Sequence, residues 1–186
     1  MAIDRVQQRL ARTTAALDAA GIRYAVVGGN AVASWVSSVD PGATRATKDV
    51  DLMVRRADVA QVTSVLSSTP LNFTRHDLRD IVLFVDPDEP SKKSGVHLVW
   101  ADERIRPSYS VSSPSVEESQ RSPDGFWVVT LSGLVRMKLT SFRDVDRVHI
   151  SDMLSVGLIT APIRASLPPE LLSRLETVER SADDYI

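Results

Sequence analysis

The sequence predicts a mixed α/β fold, in which a β-sheet with flanking helices is followed by a small helical tail. Short apolar runs bounded by glycine, proline or charged residues are typical of buried strands. These runs alternate with longer stretches whose apolar residues recur at the spacing of one helix face. After residue 130, only the helical pattern remains.

The first half of the chain alternates helical and strand patterns. An amphipathic segment predicts a helix over residues 1–20, and Gly21 suits its C-terminal end. The segment IRYAVVG predicts a buried strand that stops at Gly28, and GNAVASWVSS predicts the next helix. The segment KDVDLMV is strand-like, and Asp58 is a suitable N-cap for the helix that follows it.

The second half begins with strands and ends with helices. The segments IVLFVD and GVHLVW predict two strands, and FWVVT predicts a last strand at the edge of the sheet. Residues 102–125 are rich in serine, proline and charge, which predicts a long surface loop or a strap over the sheet. Helical patterns follow in LSGLVRMKLTSF, DRVHISDMLSVGLI and LPPELLSRLETVERS. We therefore expect a core over residues 1–130 and a helical region over 131–186 that packs on it.

The composition excludes several classes of function. The 186 residues include no cysteine, which excludes disulfides, thiolate catalysis and cysteine-bound zinc. The net charge of −2 argues against a broad nucleic-acid-binding surface, because such surfaces are usually basic. No run is apolar enough for a signal peptide or a membrane span, so we expect a cytoplasmic protein without membrane contact.

Two aspartates separated by one residue are the first candidate for chemistry. Because strand side chains alternate between faces, Asp49 and Asp51 point to the same side, opposite Val50 and Leu52. Two carboxylates held close together repel each other, and a divalent cation relieves this repulsion. Mg²⁺ prefers oxygen ligands and commonly joins one or two carboxylates to a substrate phosphate. The alternative is an ordinary solvated strand face.

The second candidate is the Gly28-Gly29 step between a strand and a helix. Without a Cβ the backbone can approach a ligand closely, and the N-terminus of the helix offers unpaired N–H groups to an anion. Asn30 adds a side-chain amide at the same place. The alternative is a simple tight turn, but the glycines and the two aspartates lie on consecutive predicted strands and can face one cleft.

Two segments carry a resemblance to a known family. The segments VVGGNAVASW and TKDVDLMV resemble the signature of the DNA polymerase beta-type nucleotidyltransferase superfamily, and are most similar to its compact bacterial AbiEii-like and minimal nucleotidyltransferase branch. This resemblance covers about residues 22–100. The segment LVRMKLTSFRDVDRVHISDML resembles the helical region that follows the core in AbiEii-like proteins, with Lys138, Arg143 and Asp152 at the matching positions.

The resemblance implies a nucleotidyltransferase-like core with a metal-dependent nucleoside triphosphate site. Gly28 and Gly29, with Asn30 beside them, would hold the triphosphate. Asp49 and Asp51 would ligate Mg²⁺ or Mn²⁺.

Positive charge for the phosphates would come from the helical region. The resemblance implies that Lys138 and Arg143 contact phosphate oxygens, the lysine as a point charge and the arginine as a planar fork. The competing interpretation places both on a solvated helix edge, where they pair with Asp144 and Asp146.

One position departs from the family pattern. Active members usually carry a third carboxylate on a later strand, and His97 of GVHLVW stands at that position here. An imidazole can bind manganese or zinc, act as a general base, or donate a hydrogen bond to Asp49 or Asp51. Asp86 and Asp102, at strand ends, could substitute for the missing acid.

The sequence leaves several functions open. We expect a nucleotidyltransferase that moves a nucleotidyl group from a nucleoside triphosphate to a hydroxyl acceptor on RNA, a protein or a small molecule. The alternative is a catalytically impaired nucleotide-binding or toxin–antitoxin-type regulatory protein with a partner protein. A structural domain with a vestigial cleft is the third hypothesis.

Overall fold

The structure, a computed structural model, describes residues 2–78 and 81–183. The helices are α1 Ala2–Ala19, α2 Gly28–Ser37, α3 Val59–Ser67, α4 Leu131–Ser141, α5 Asp144–Ser155, α6 Ala161–Ala165 and α7 Pro169–Asp183. The strands are β1 Ala25–Val27, β2 Val50–Val54, β3 Thr74–Leu78, β4 Ile81–Val85, β5 Val96–Trp100, β6 Ser119–Arg121 and β7 Trp127–Val129. The predicted mixed sheet with flanking helices and C-terminal helices is confirmed.

The first helix ends as its sequence predicts. Gly21 adopts a φ of +67°, and its N–H donates to the carbonyl of Asp18. The N–H of Ile22 reaches back to the carbonyl of Leu17, which completes a Schellman motif. Asp58 does occupy the N-cap position of α3, but its side chain makes no capping hydrogen bond and pairs with Arg55 instead.

The seven strands form one mixed sheet in the order β3-β4-β5-β2-β1-β7-β6. Strand β2 runs parallel to β5 and antiparallel to β1. The C-terminal end of β1 therefore meets the N-terminal ends of β2 and β5 at one edge of the sheet. Val27 lies opposite Asp51, and Asp51 lies opposite His97. This register places the residues that follow β1 beside the candidate acids.

Both edges of the sheet differ from the prediction. The predicted edge strand, β7, is interior, because it pairs with β1 on one side and with β6 on the other. Strand β6 lies within the segment predicted as a loop, and the sequence does not predict β3. Both outer strands are polar and mostly solvent-exposed, so neither shows the apolar signal of a buried strand.

The hydrophobic core lies between the sheet and the helices. The core includes the fully buried Val50, Leu52 and Val96 of the sheet. It also includes Ile150 and Met153 of α5. Helix α5 packs against α2, α4 and α7. Within the described ranges, no helix combines the length and the apolar character that crossing a bilayer requires.

Candidate functional site

Asp49, Asp51 and His97 form a cluster at the edge of the sheet. Asp51 and His97 face each other across the parallel pair β2–β5, and Asp49 precedes β2 by one residue. The Nδ1 atom of His97 lies 3.3 Å from Oδ1 of Asp51 and 3.6 Å from Oδ2 of Asp49. One potential ligand atom from each residue lies within 4.8 Å of the others. The structure therefore brings all three together.

The glycine turn packs directly on this cluster. Gly28 has a φ of +66°, and a Cβ there would lie 1.9 Å from Oδ2 of Asp51. A Cβ on Gly29 would lie 2.8 Å from Oγ1 of Thr47. Val27, the N-cap of α2, offers no side-chain hydrogen bond, so the first-turn N–H groups of α2 are left for solvent or a ligand. The turn therefore combines a close backbone approach with donors beside the acids.

Two polar contacts fix Asp49, and sequence reasoning missed both. The Nδ2 atom of Asn30 donates to the carbonyl oxygen of Asp49 at 2.7 Å, and Oγ1 of Thr47 donates to its Oδ1 at 3.0 Å. Asn30 is 2% exposed and lies outside the cavity that Asp49 lines. Its predicted role in binding phosphate stays a prediction; its observed role is to hold Asp49. In the sequence, the only sign of the second contact is that Thr47 stands two residues before Asp49.

His97 is electrostatically coupled to both acids. Its hydrogen bond with Asp51 raises the pKa of His97 above 6.5, against the opposing effect of burial, and the charges of both aspartates add to this shift. A protonated imidazole here would balance part of the negative charge of the cluster. A neutral imidazole would offer a lone pair to a cation or a proton.

The donor set fits a divalent cation. Two carboxylates and one imidazole nitrogen lie within coordination reach of a shared point, and both aspartate side chains are partly exposed. A mixed oxygen and nitrogen set suits Mn²⁺ better than Mg²⁺, which prefers oxygen ligands alone. Asp49, Asp51 and His97 are therefore the residues that would hold the ion.

A second set of charges faces the cluster from the helices. Asp146 is fully buried and accepts hydrogen bonds from Lys138 at 3.1 Å and from Arg143 at 2.7 Å. Burial opposes the ionisation of Asp146, but the hydrogen bond from Arg143 and the charge of Lys138 outweigh it and lower the pKa of Asp146 to about 2. Of the two acids predicted as partners of Lys138 and Arg143, Asp146 is the one that pairs with both. Asp144 pairs with Arg147 instead.

The two predicted phosphate ligands differ in accessibility. Lys138 is 5% exposed, whereas the side chain of Arg143 is 57% exposed. Hydrogen bonding to Asp146, with a smaller effect from Asp51, raises the pKa of Arg143, so its guanidinium lies within electrostatic reach of the acidic cluster. Contact of either residue with phosphate stays a prediction.

His149 and Asp152 lie further along α5. The Nε–H group of Arg45 donates a bifurcated hydrogen bond to the carboxylate of Asp152, with its two oxygens at 2.8 and 3.0 Å. Nδ1 of His149 is buried and has no hydrogen-bond partner among the described residues. Burial and the charge of Lys138 lower the pKa of His149 to about 4, so its imidazole is neutral at pH 7.

One cavity of about 1430 Å³ joins these features. We call its two sides the sheet wall (Gly28, Gly29, Asp49, Asp51 and His97) and the helical wall (Lys138, Arg143, Asp146 and His149); every one of these residues lines the cavity. A smaller cavity of about 240 Å³ lies behind the segment that carries Arg45 and Thr47.

Neither of the alternative acids lies in this cavity. Asp86 is 2% exposed and is ion-paired with Arg9 and Arg12 of α1, so its charge is committed elsewhere. Asp102 is exposed in a turn and does not line the cavity. The proposal that either could replace the missing third acid is wrong, and His97 is the residue at that place.

The chain has the nucleotidyltransferase-like fold. It overlaps with the crystal structure of an antigenic nucleotidyltransferase-like protein from Paracoccidioides brasiliensis at a TM-score of 0.61 and 21% identity, over 97% of this chain and 90% of that one. The solution structure of the antibiotic-resistance factor ANT(2″)-Ia overlaps at a TM-score of 0.51 and 14% identity, over 98% and 86%. No protein-family model and no curated protein sequence matches the chain. At these identities the similarity establishes the fold.

Proposed function

We propose that the protein is a metal-dependent nucleotidyltransferase that acts on a nucleoside triphosphate and a hydroxyl acceptor. The observation that carries this proposal is the direct packing of the Gly28 turn on Asp51, within a three-residue cluster that can hold a divalent cation. A phosphate-sized anion site and a cation site then share one edge of the sheet. The fold supports the same conclusion.

Each wall has its own task in the proposed reaction. The first-turn N–H groups after Gly28 bind the triphosphate, and Arg143, with Lys138 behind it, adds positive charge from the other side. Asp49, Asp51 and His97 would hold Mg²⁺ or Mn²⁺, which would neutralise phosphate charge and orient the reacting oxygens. The acceptor oxygen bonds to the α-phosphorus, and the bond from that phosphorus to pyrophosphate breaks. The hydroxyl proton passes to solvent, or to His97 where only the two aspartates hold the ion.

A second candidate function is favoured by the contact between His97 and Asp51. An imidazolium at this place would balance the acids without activating a hydroxyl, which suits a nucleotide-binding regulator without turnover. A toxin–antitoxin-type protein of the AbiEii-like branch, with a partner protein, is the corresponding biological role. This candidate predicts nucleotide binding without release of pyrophosphate.

Titration of each nucleoside triphosphate with Mg²⁺ or Mn²⁺, followed by a pyrophosphate-release assay, tests the proposal. We expect metal-dependent binding in the wild type and its loss in Asp51→Asn. Asp77→Asn is the matched control, because Asp77 lines the same cavity but is paired with Arg75. Binding that ignores the metal and survives Asp51→Asn would exclude catalysis by this cluster.

The variant His97→Asp separates the two candidates. It restores a carboxylate at the place of the third acid. If the wild type binds nucleotide without turnover and His97→Asp releases pyrophosphate, the regulatory function is correct. If the wild type turns over and His97→Asp does not improve it, the imidazole performs the task of the acid.

A further inference from the structure

Most of the exposed large apolar side chains of the described residues line the cavity. Among the described residues, six large apolar side chains are exposed. Four of them line the cavity, namely Leu78, Ile81, Ile105 and Val145, and we call these four the apolar rim. Apolar patches of this kind mark contact sites when they cluster, whereas single exposed side chains are ordinary.

The strand register places one member of the apolar rim relative to the acids. Asp51, His97 and Leu83 lie in one row across β2, β5 and β4, and Ile81 lies two residues further along β4 on the same face. From the strand spacing and the rise per residue, Ile81 lies about 12 Å from Asp51. This distance is short enough for a small molecule that contacts the rim to present a hydroxyl near the acids.

The cavity has room for two molecules. Sites for one drug-sized ligand are commonly about 300–1,000 Å³, and this cavity measures about 1430 Å³. The glycine turn and the acids lie on the β1–β2 side, whereas Leu78 and Ile81 belong to the β3–β4 hairpin at the other side. A nucleotide bound at the glycine turn therefore leaves the rim to a second occupant.

The charges around the rim restrict what this occupant can be. Apart from Asp49 and Asp51, each carboxylate of the described residues that lines the cavity is paired with a cation. These pairs are Asp77–Arg75, Asp146–Lys138, Asp146–Arg143 and Asp152–Arg45. Arg106 adds positive charge next to Ile105. Among the described residues of the rim, a polycationic acceptor would find no unpaired carboxylate, and a neutral or anionic one would find none that repels it.

We propose that the apolar rim binds the acceptor, and that the acceptor is a small-molecule alcohol whose hydroxyl is carried by an apolar, neutral or anionic body. This inference rests on the proposed function, because it names the substrate that receives the nucleotidyl group. The acceptor's oxygen bonds to the α-phosphorus, pyrophosphate leaves, and the hydroxyl proton goes to solvent, or to His97 where only the two aspartates hold the ion.

Three matched fluorescent probes test the chemistry of the rim. They are 2-naphthol, 6-hydroxynaphthalene-2-sulfonate and 6-(aminomethyl)-2-naphthol, which share one ring system and differ in charge. Each is titrated against the protein loaded with Mn²⁺ and the α,β-methylene analogue of the triphosphate that binds best. We expect the neutral and anionic probes to bind and the cationic probe to bind weakest. Tightest binding by the cation, or no binding by any probe, would overturn the proposal.

Two valines on α5 provide the matched variants. Val145 and Val148 are both exposed, at 48% and 41%, but only Val145 lines the cavity. We expect Val145→Asp to weaken the anionic probe about tenfold or more, and Val148→Asp to change it less than twofold. Ile105→Ser and the distant Val39→Ser form a second pair in case Val145→Asp disturbs α5.

The outcomes separate this inference from the function on which it rests. If both valine variants weaken the probe equally, the probe does not bind in the cavity and the inference is wrong. If Val145→Asp weakens the nucleotide instead of the probe, the rim holds the nucleobase and the inference is wrong. If no triphosphate binds, the proposed function is wrong, and the probes are titrated against the protein alone. Binding that Val145→Asp weakens and Val148→Asp does not would still show a ligand site at the rim.

Discussion

In the sheet wall two carboxylates share one imidazole, whereas in the helical wall one carboxylate lies between a lysine and an arginine. The acids of the sheet wall are partly exposed and carry excess negative charge. Asp146 is fully buried and is paired with two cations, which leaves one positive charge in excess. Among the described residues, the carboxylates of the sheet wall have no cation of their own, whereas the buried carboxylate of the helical wall already has two. The comparison favours the sheet wall as the place for a cation and the helical wall as a fixed source of positive charge.

The largest expected effect concerns the contribution of the helical wall to stability. Asp146→Ala leaves the buried ammonium of Lys138 without its partner, and we expect the free energy of unfolding to fall by about 3–5 kcal/mol. The control is Asp144→Ala on the same helix, whose side chain is 91% exposed, and it should change stability by less than about 0.5 kcal/mol. Urea unfolding followed by circular dichroism measures both. Equal losses of stability in the two variants would contradict the claim that the buried Asp146 pairs stabilise the helical wall.

The glycine turn provides the next test. In Gly28→Ala the new methyl group would collide with Asp51, and alanine at a φ of +66° is strained as well. We expect a loss of roughly 2–3 kcal/mol of stability and weaker Mn²⁺ binding. Gly157 has a φ of +72°, and a methyl group added there would meet no atom within 4 Å, so Gly157→Ala reports the backbone strain alone. If the two variants lose equal stability, the Gly28 turn does not press on Asp51.

The pH dependence of stability distinguishes the walls. The unfolded chain protonates His149 below about pH 6.5, but the folded protein does so only below about pH 4, so stability falls as the pH drops through this interval. We expect a loss of about 2–3 kcal/mol, removed in His149→Gln. The raised pKa of His97 acts in the opposite direction, because its contribution is lost as the pH rises. Unfolding curves at pH 7, 5.5 and 4.5 measure this, and an unchanged slope in His149→Gln would contradict it.

The smallest effect concerns the positioning of Asp49. Thr47→Val removes the hydroxyl that binds Oδ1 of Asp49 while it keeps the shape of the side chain. We expect Mn²⁺ affinity to fall about fivefold, equivalent to about 1 kcal/mol, with little change in stability. Thr44→Val, in the same segment but bonded only to the carbonyl of Pro41, should leave the affinity unchanged. Equal affinities for wild type and Thr47→Val would mean that Asp49 is held by Asn30 alone.

The centre of the sheet could be predicted from the sequence, and its edges could not. The buried strands β1, β2, β4 and β5 carry apolar runs that only a core position explains. Strands β3 and β6 read TRHDL and SQR, and polar residues at a solvated edge look like loop. The sequence places β7 at the edge of the sheet for the same reason, because the polar residues of β6 do not indicate a strand beside it.

The two walls differ in the same way. Asp49, Asp51 and the glycine turn could be predicted because each depends on local spacing along one strand or one turn. The position of His97 opposite Asp51 followed from strand alternation and the resemblance together. The choice of Asp146 as the partner of Lys138 and Arg143 could not be predicted, since it depends on how α4 and α5 pack. The hydrogen bond from Asn30 to the carbonyl oxygen of Asp49 depends on tertiary contact as well.

Mn²⁺ binding measured by electron paramagnetic resonance tests the central claim most directly. Wild type and Asp51→Asn are titrated with Mn²⁺, each with and without the nucleoside triphosphate, and the unbound ion is measured from its signal. We predict that the wild type binds Mn²⁺, that the triphosphate tightens this binding at least tenfold, and that Asp51→Asn abolishes both effects. Equal Mn²⁺ affinity in the two proteins, unaffected by the triphosphate, would contradict the assignment of the sheet wall as a metal and nucleotide site.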